Sequence, residues 1–156
     1  HTLFVITADH TSISEGGKYA TLTGHFSIPI IYYMPSDSTL KGTFDYTTQQ
    51  LDIMPSVLDY SGYSNGFTSF GNSIFSKPKK SFAFNTIYNQ MQFICYPYCI
   101  EYDGSKCSGF YNLHDDELMK YNIPENSPTK DSMLTGIKAF VQSYSYRVVK
   151  NKMLSD

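Results

Sequence analysis

The stretch Thr2-Leu3-Phe4-Val5-Ile6-Thr7-Ala8-Asp9-His10 constrains the fold of this chain more than any other. A run of apolar and β-branched residues without polar alternation is the pattern of a strand buried on both faces. Such a strand needs neighbours and crossover helices to cover it, so the run predicts an α/β core. It ends in an Asp-His pair. In α/β sheets, ligands gather just beyond the carboxyl ends of the strands, where neighbouring loops diverge. A carboxylate and an imidazole both ligate divalent metals such as Zn or Mn, and adjacent residues can share one ion once the backbone leaves strand geometry. Taken alone, the dipeptide reads equally as a polar strand end held by hydrogen bonds.

Two later blocks add to the first, which for this comparison runs on to Thr11: Ile28-Pro29-Ile30-Ile31-Tyr32-Tyr33-Met34-Pro35 and Gln50-Leu51-Asp52-Ile53-Met54-Pro55-Ser56-Val57-Leu58-Asp59. In this order and spacing the three resemble the C-terminal half of the sulfatase-like branch of the alkaline phosphatase superfamily, and within it the lipoteichoic acid synthase-like phosphoglycerol transferases. Phe70-Gly71-Asn72-Ser73-Ile74-Phe75, Tyr102-Asp103-Gly104, Gly109-Phe110-Tyr111-Asn112-Leu113 and a closing helix containing Gln142 extend the resemblance over nearly the whole chain. It implies part of an alkaline-phosphatase-like mixed sheet with flanking helices over residues 1–80. A small antiparallel sheet packed with a long C-terminal helix would follow over residues 81–156.

The resemblance further implies that the chain is the C-terminal part of one catalytic domain, with its missing N-terminal half as partner. Asp9 and His10 would be ligands of a divalent metal (Mn, Zn, Mg or Ca), and His25 a contact to a phosphate or sulfate oxygen of the substrate. The nucleophile, a Thr, Ser or formylglycine-generating Cys, and at least one further acidic ligand would lie upstream, so the fragment by itself is expected to be inactive. The family's location implies an extracytoplasmic parent anchored to a membrane.

Other partners are constrained by composition. With 12 basic and 14 acidic residues the net charge is −2, which offers no strong field for nucleic acid or an anionic membrane. No run of about 18 apolar residues suits a membrane span, and no basic segment followed by an apolar one opens the chain. The 156 residues are enough for one core but short for two ordinary domains. Aromatic residues make up 16%, with 14 Tyr and 11 Phe, a bias that favours strands with half-buried faces.

In chain order, Thr11 to Gly24 is a polar, Gly-containing loop with room for a short helix, in which Lys18 is either a cation for an anionic substrate or a solvated side chain. Ile28 to Met34 reads as a second buried strand. From Thr47 to Tyr60, Leu51, Met54, Val57 and Leu58 recur at helical spacing, predicting a helix that turns those residues toward the sheet. Asp52 lies at the start of that turn and reads as a cap rather than an active-site acid.

Lys77-Pro78-Lys79-Lys80 marks a composition shift and the expected internal boundary. Beyond it Ser81–Thr86, Met91–Tyr96, Tyr98–Tyr102 and Cys107–Leu113 are short aromatic-rich runs separated by turns, predicting an antiparallel sheet with a tight hairpin at Asp103-Gly104. Cys99 and Cys107 flank that turn, so a disulfide across it is one expectation; three thiols, with Cys95, is the other. His114-Asp115-Asp116-Glu117 reads as a second metal site or as the acidic start of a short helix ending near Lys120. Ser127-Pro128 opens a closing helix of about 20 to 25 residues whose core stripe is Met133, Leu134, Ile137, Phe140, Val141, Tyr144 and Val148.

A reading of another class also fits: a non-catalytic module whose aromatic antiparallel sheet binds carbohydrate or a partner, with Asp9-His10 structural. Exposed strand edges would in either case permit a homodimer.

Overall fold

A computed structural model describes residues 1–12, 16–76, 81–124 and 127–153. The fold is mixed α/β, with a two-stranded sheet, a four-stranded antiparallel sheet and a C-terminal helix packed on strands. It divides into two compact units, His1–Tyr46 and Thr47–Asp156. The division precedes the Lys77–Lys80 stretch, which lies outside the described residues.

In the first unit, β1 (Phe4–Thr7) leads through a 3-10 turn at Gly17–Ala20 and the short helix α1 (Leu22–His25) to β2 (Ile30–Tyr33). The strands pair antiparallel, Phe4 opposite Tyr33 and Ile6 opposite Ile31. This corrects the expectation of a first strand buried on both faces. With one neighbouring strand and no crossover helix among the described residues, the face bearing Phe4, Ile6, Ile31 and Tyr33 stays open, and these residues are 47%, 53%, 48% and 53% exposed. Val5, Ile30 and Tyr32 on the opposite face are half-buried.

The second unit begins with a 3-10 turn at Gln50–Asp52 that runs into α2 (Ile53–Tyr60). Of the expected 47–60 helix only Ile53–Tyr60 is α-helical, and of the expected inward residues Val57 and Leu58 are only half-buried. Leu51 and Met54 are exposed, whereas Asp52, Pro55 and Ser56 are buried. Hydrogen bonding sets this orientation. Asp52 and Gln49 form a reciprocal capping box, as the cap reading of Asp52 requires. The Ser56 hydroxyl donates to the Asp52 carbonyl at 2.5 Å and accepts from the Ile74 N–H at 3.1 Å. These bonds satisfy backbone groups that burial would otherwise orphan.

The sheet is a meander of β3 (Ala83–Ile87), β4 (Gln90–Cys95), β5 (Tyr98–Tyr102) and β6 (Cys107–Asn112) in sequence order. Its turns follow local chemistry. Tyr88 and Asn89 both have positive φ, 49° and 62°, the requirement of a two-residue primed turn. Between β5 and β6 the connection spans Asp103–Lys106, with Gly104 at φ 95°, longer than the tight hairpin expected there. Asp103 Oδ1 accepts from the N–H groups of Ser105 and Lys106 and from the Ser105 hydroxyl, each at 2.8 Å.

Both outer strands are protected at one point. The Phe84 N–H on β3 donates to Gln49 Oε1 at 3.0 Å. On β6, the Phe110 N–H donates to Asn122 Oδ1 at 3.0 Å, and its carbonyl accepts from the Ile123 N–H at 2.8 Å. Occupied edge groups of this kind are unavailable to a passing strand.

Helix α3 (Pro128–Val149) begins with Pro at its first position, as expected, and packs across β4 and β5. Phe93, Ile100, Tyr102, Phe110, Met133 and Ile137 form the core between helix and sheet. Phe140 extends it against Phe70, Phe82 and Phe84, at ring-centroid distances of 5.6, 5.6 and 4.6 Å. The stripe is therefore core over its first half, while Tyr144 and Val148 are about half exposed at its far end. The other sheet face carries a smaller cluster of Ala83, Ile94 and Cys99.

Candidate metal-binding pair at the end of strand β1

The backbone leaves strand geometry after Thr7, and Asp9 and His10 fall in a bend, so adjacent side chains can turn to the same side. Each is oriented by a local bond. Asp9 Oδ1 accepts from the His10 N–H at 2.9 Å, leaving Oδ2 free to face the ring. His10 Nδ1 lies 2.8 Å from the Thr11 carbonyl oxygen. A carbonyl only accepts, so Nδ1 carries a proton, and in the neutral ring Nε2 is the atom with an available lone pair.

Nε2 lies 3.5 Å from Asp9 Oδ2. In the neutral ring these are two acceptors close together, an arrangement relieved either by a proton on Nε2, which makes an ion pair, or by a metal cation. The separation also suits one ion: a tetrahedron with metal–ligand bonds of about 2.1 Å has an edge of roughly 3.4 Å. The donor set thus fits a divalent metal chemically, as two of its ligands. The side chains are 59% and 87% exposed for His10 and Asp9, which leaves room for further ligands. Among the described residues no group of three or more His, Cys, Asp or Glu could hold a metal.

Thr11 anchors this loop, a role that the sequence reading did not assign to it. Its N–H donates to the His25 carbonyl at 2.9 Å, and its hydroxyl lies 3.2 Å from the Gly24 carbonyl and 3.3 Å from that of His25. The available signal was a short hydroxylated residue directly after a strand-ending Asp-His, the kind of side chain that bonds backbone in place of a ladder partner. These bonds attach the end of β1 to the last residues of α1. His25, the expected substrate contact, is thereby on the same loop assembly, its residue half-buried and its carbonyl engaged by Thr11.

Helix α1 is seated by Thr21, whose side chain accepts from the Gly24 N–H at 3.0 Å. Gly24 itself has no room for a side chain: a Cβ there would fall 1.9 Å from the Lys18 carbonyl oxygen. Lys18, the expected cation of this loop, lies in the 3-10 turn with Nζ 5.5 Å from the centroid of the Tyr19 ring.

The remaining candidates resolve into structure. The Asp52 carboxylate is buried, with Oδ2 accepting from the Gln49 N–H at 2.9 Å and Oδ1 from the Asn72 N–H at 2.7 Å. Burial nevertheless raises its pKa above the ordinary carboxylate value, outweighing the two N–H groups that lower it. His114 to Glu117 forms turns where a short helix was expected. Asn112 draws the chain out of helical geometry, accepting from the His114 N–H at 3.1 Å and donating to Asp115 Oδ2 at 2.6 Å, and Met119 has φ 54°. His114 Nδ1 and Asp115 Oδ1 are 2.9 Å apart.

Cys95, Cys99 and Cys107 are thiols. The alternative, a Cys99–Cys107 bridge, does not form, because Cys99 packs in the cluster on one sheet face and Cys107 against the α3 core on the other. Cys99 pairs with Tyr111 and Cys107 with Tyr102, with a register shift at Glu101/Tyr102.

No family model, curated protein or solved structure matches the chain.

Proposed function

We propose that this chain is the C-terminal part of a metal-dependent catalytic domain of the sulfatase-like or phosphoglycerol transferase-like kind, to which it contributes two metal ligands. The observation that carries the reading is the 3.5 Å approach of His10 Nε2 to Asp9 Oδ2, with the ring held by the Thr11 carbonyl so that Nε2 faces the carboxylate. A divalent metal bound there would neutralise charge on a transferred phosphoryl or sulfuryl group. His25 would contact an oxygen of that group, and the resemblance puts the nucleophile and the remaining ligands upstream. Substrates in this reading are phosphate or sulfate esters of a cell-envelope polymer or lipid head group, acted on outside the cytoplasm by a membrane-anchored parent.

The test is activity measured at two lengths. The 156-residue chain supplied with Mn or Zn is expected to turn over phosphodiesters and sulfate esters no faster than its Asp9→Ala variant. In the full protein, Asp9→Ala or His10→Ala is expected to reduce turnover by about a hundredfold or more, as loss of a metal ligand should. Full activity in those variants overturns the reading.

A second reading, a non-catalytic module for carbohydrate or a partner, has one observation in its favour. Phe93, Tyr102 and Phe110 of the four-stranded sheet are buried under α3, but Phe4 and Tyr33 present an open aromatic face on the two-stranded sheet, ring centroids 6.3 Å apart. Saturable glycan binding lost in Phe4→Ala and indifferent to Asp9→Ala would favour it. That face and the strand edges beside it are also where a homodimer would form.

A further inference from the structure

The orientation of His10 has an identifiable origin in the chain. Its Nδ1 is held by the Thr11 carbonyl, and Thr11 is itself fixed by its N–H on the His25 carbonyl and its hydroxyl between the Gly24 and His25 carbonyls. The residue that follows His10 is thus attached to α1 through both its N–H and its side chain. α1 in turn is seated by the Thr21 cap and by the close backbone approach at Gly24.

We infer that Thr11 is a positioning residue for the metal pair: its contacts to α1 hold its carbonyl where it keeps the His10 proton on Nδ1 and presents Nε2 beside Asp9 Oδ2. This inference rests on the metal-binding reading of Asp9 and His10. A ligating imidazole gains from such a partner in two ways. The bond to its other nitrogen fixes the tautomer, and it limits the rotation that metal binding would otherwise have to freeze. Loss of a partner of this kind weakens metal binding by about 10- to 100-fold. Thr11 acts through His10 and needs no contact with the metal.

The experiment compares Thr11→Val, which removes the hydroxyl at nearly constant shape, with Thr11→Ser, which keeps it. In alkaline buffer, where imidazoles are neutral, 15N spectra of the His10 ring without metal report which nitrogen carries the proton. Wild type and Thr11→Ser are expected to show Nδ1–H, and Thr11→Val a mixture with Nε2–H. In the full protein, titration with Mn alone is expected to give at least about tenfold weaker binding for Thr11→Val than for the other two. A folded Thr11→Val chain with unchanged tautomer and unchanged Mn affinity overturns the inference, as does Nε2–H in the wild type. Should Thr11→Val fail to fold, weakened Mn binding in Thr11→Ser to the level of Asp9→Ala overturns it instead. A full-length wild-type protein that shows Nδ1–H yet binds no Mn overturns the metal reading, and the positioning role with it.

Discussion

The N–H of Asn72 donates to Oδ1 of Asp52 at 2.7 Å, joining the start of helix α2 to a loop twenty residues further along the chain. The Gln49 N–H occupies the other carboxylate oxygen at 2.9 Å. Asp52→Ala leaves both N–H groups without their acceptor in a buried place, and should lower unfolding free energy by about 2 kcal/mol in chemical denaturation. The same carboxylate gives a pH signature. Its folded pKa is raised, so its contribution to stability is complete below the unfolded value of about 3.9 and declines as pH rises through the folded value. The stability advantage of wild type over Asp52→Asn should therefore be larger near pH 4 than at pH 7; an advantage that grows with pH would contradict the burial argument.

Asp103 titrates in the opposite sense. Three hydrogen bonds to its Oδ1 hold its pKa down to about 2. A lowered folded value means that its contribution is present above the unfolded carboxylate range and is lost as pH falls through the folded one. The amide resonances of Ser105 and Lys106 should shift together with a midpoint at about 2, well below an ordinary carboxylate. Midpoints near 4 would show that the turn is not held by Asp103.

Gly71 admits the chain to α2 at a point where no side chain fits: a Cβ there would lie 2.1 Å from the Leu51 carbonyl oxygen, a backbone atom that cannot swing away. Gly71→Ala is expected to cost about 3 kcal/mol of stability and to disturb the Asn72–Asp52 bond beside it. Thermal unfolding of the variant should show a clear drop, whereas Gly66→Ala, with open space at its Cβ, should change little.

Ile137 is fully buried where α3 meets β4 and β5. Ile137→Ala should cost about 3 to 4 kcal/mol, a cavity-forming loss, measurable as a shift of the denaturant midpoint. Val149→Ala, at the exposed end of the same helix, should be nearly neutral.

The second unit was the more legible part of the sequence, for identifiable reasons. Strands β3 to β6 are short, aromatic and separated by strong turn residues, and Ser127-Pro128 marks the start of α3. What misled was any run whose pattern two environments share. Phe4 to Thr7 reads the same whether a strand is covered on both faces or belongs to a two-stranded sheet, because periodicity reports polarity and not the number of neighbours. In α2 the apolar spacing of Leu51 and Met54 lost to a buried polar cluster, since Asp52 and Ser56 bond backbone that would otherwise be orphaned. The faces of Cys99 and Cys107 depend on a register shift that spacing does not reveal. At the candidate site, Asp9 and His10 were legible as ligand types. The role proposed for Thr11 was not, because it lies in bonds to backbone carbonyls thirteen and fourteen positions away.

The most direct test of the metal-binding account is calorimetric titration of Mn and Zn into the full protein, which on that account carries the upstream ligands, alongside its Asp9→Ala and His10→Ala variants. The account predicts saturable binding by wild type that weakens by about tenfold or more in each variant, while the fold of the second unit is unchanged. Binding that is absent in wild type, or equal in all three chains, would contradict it.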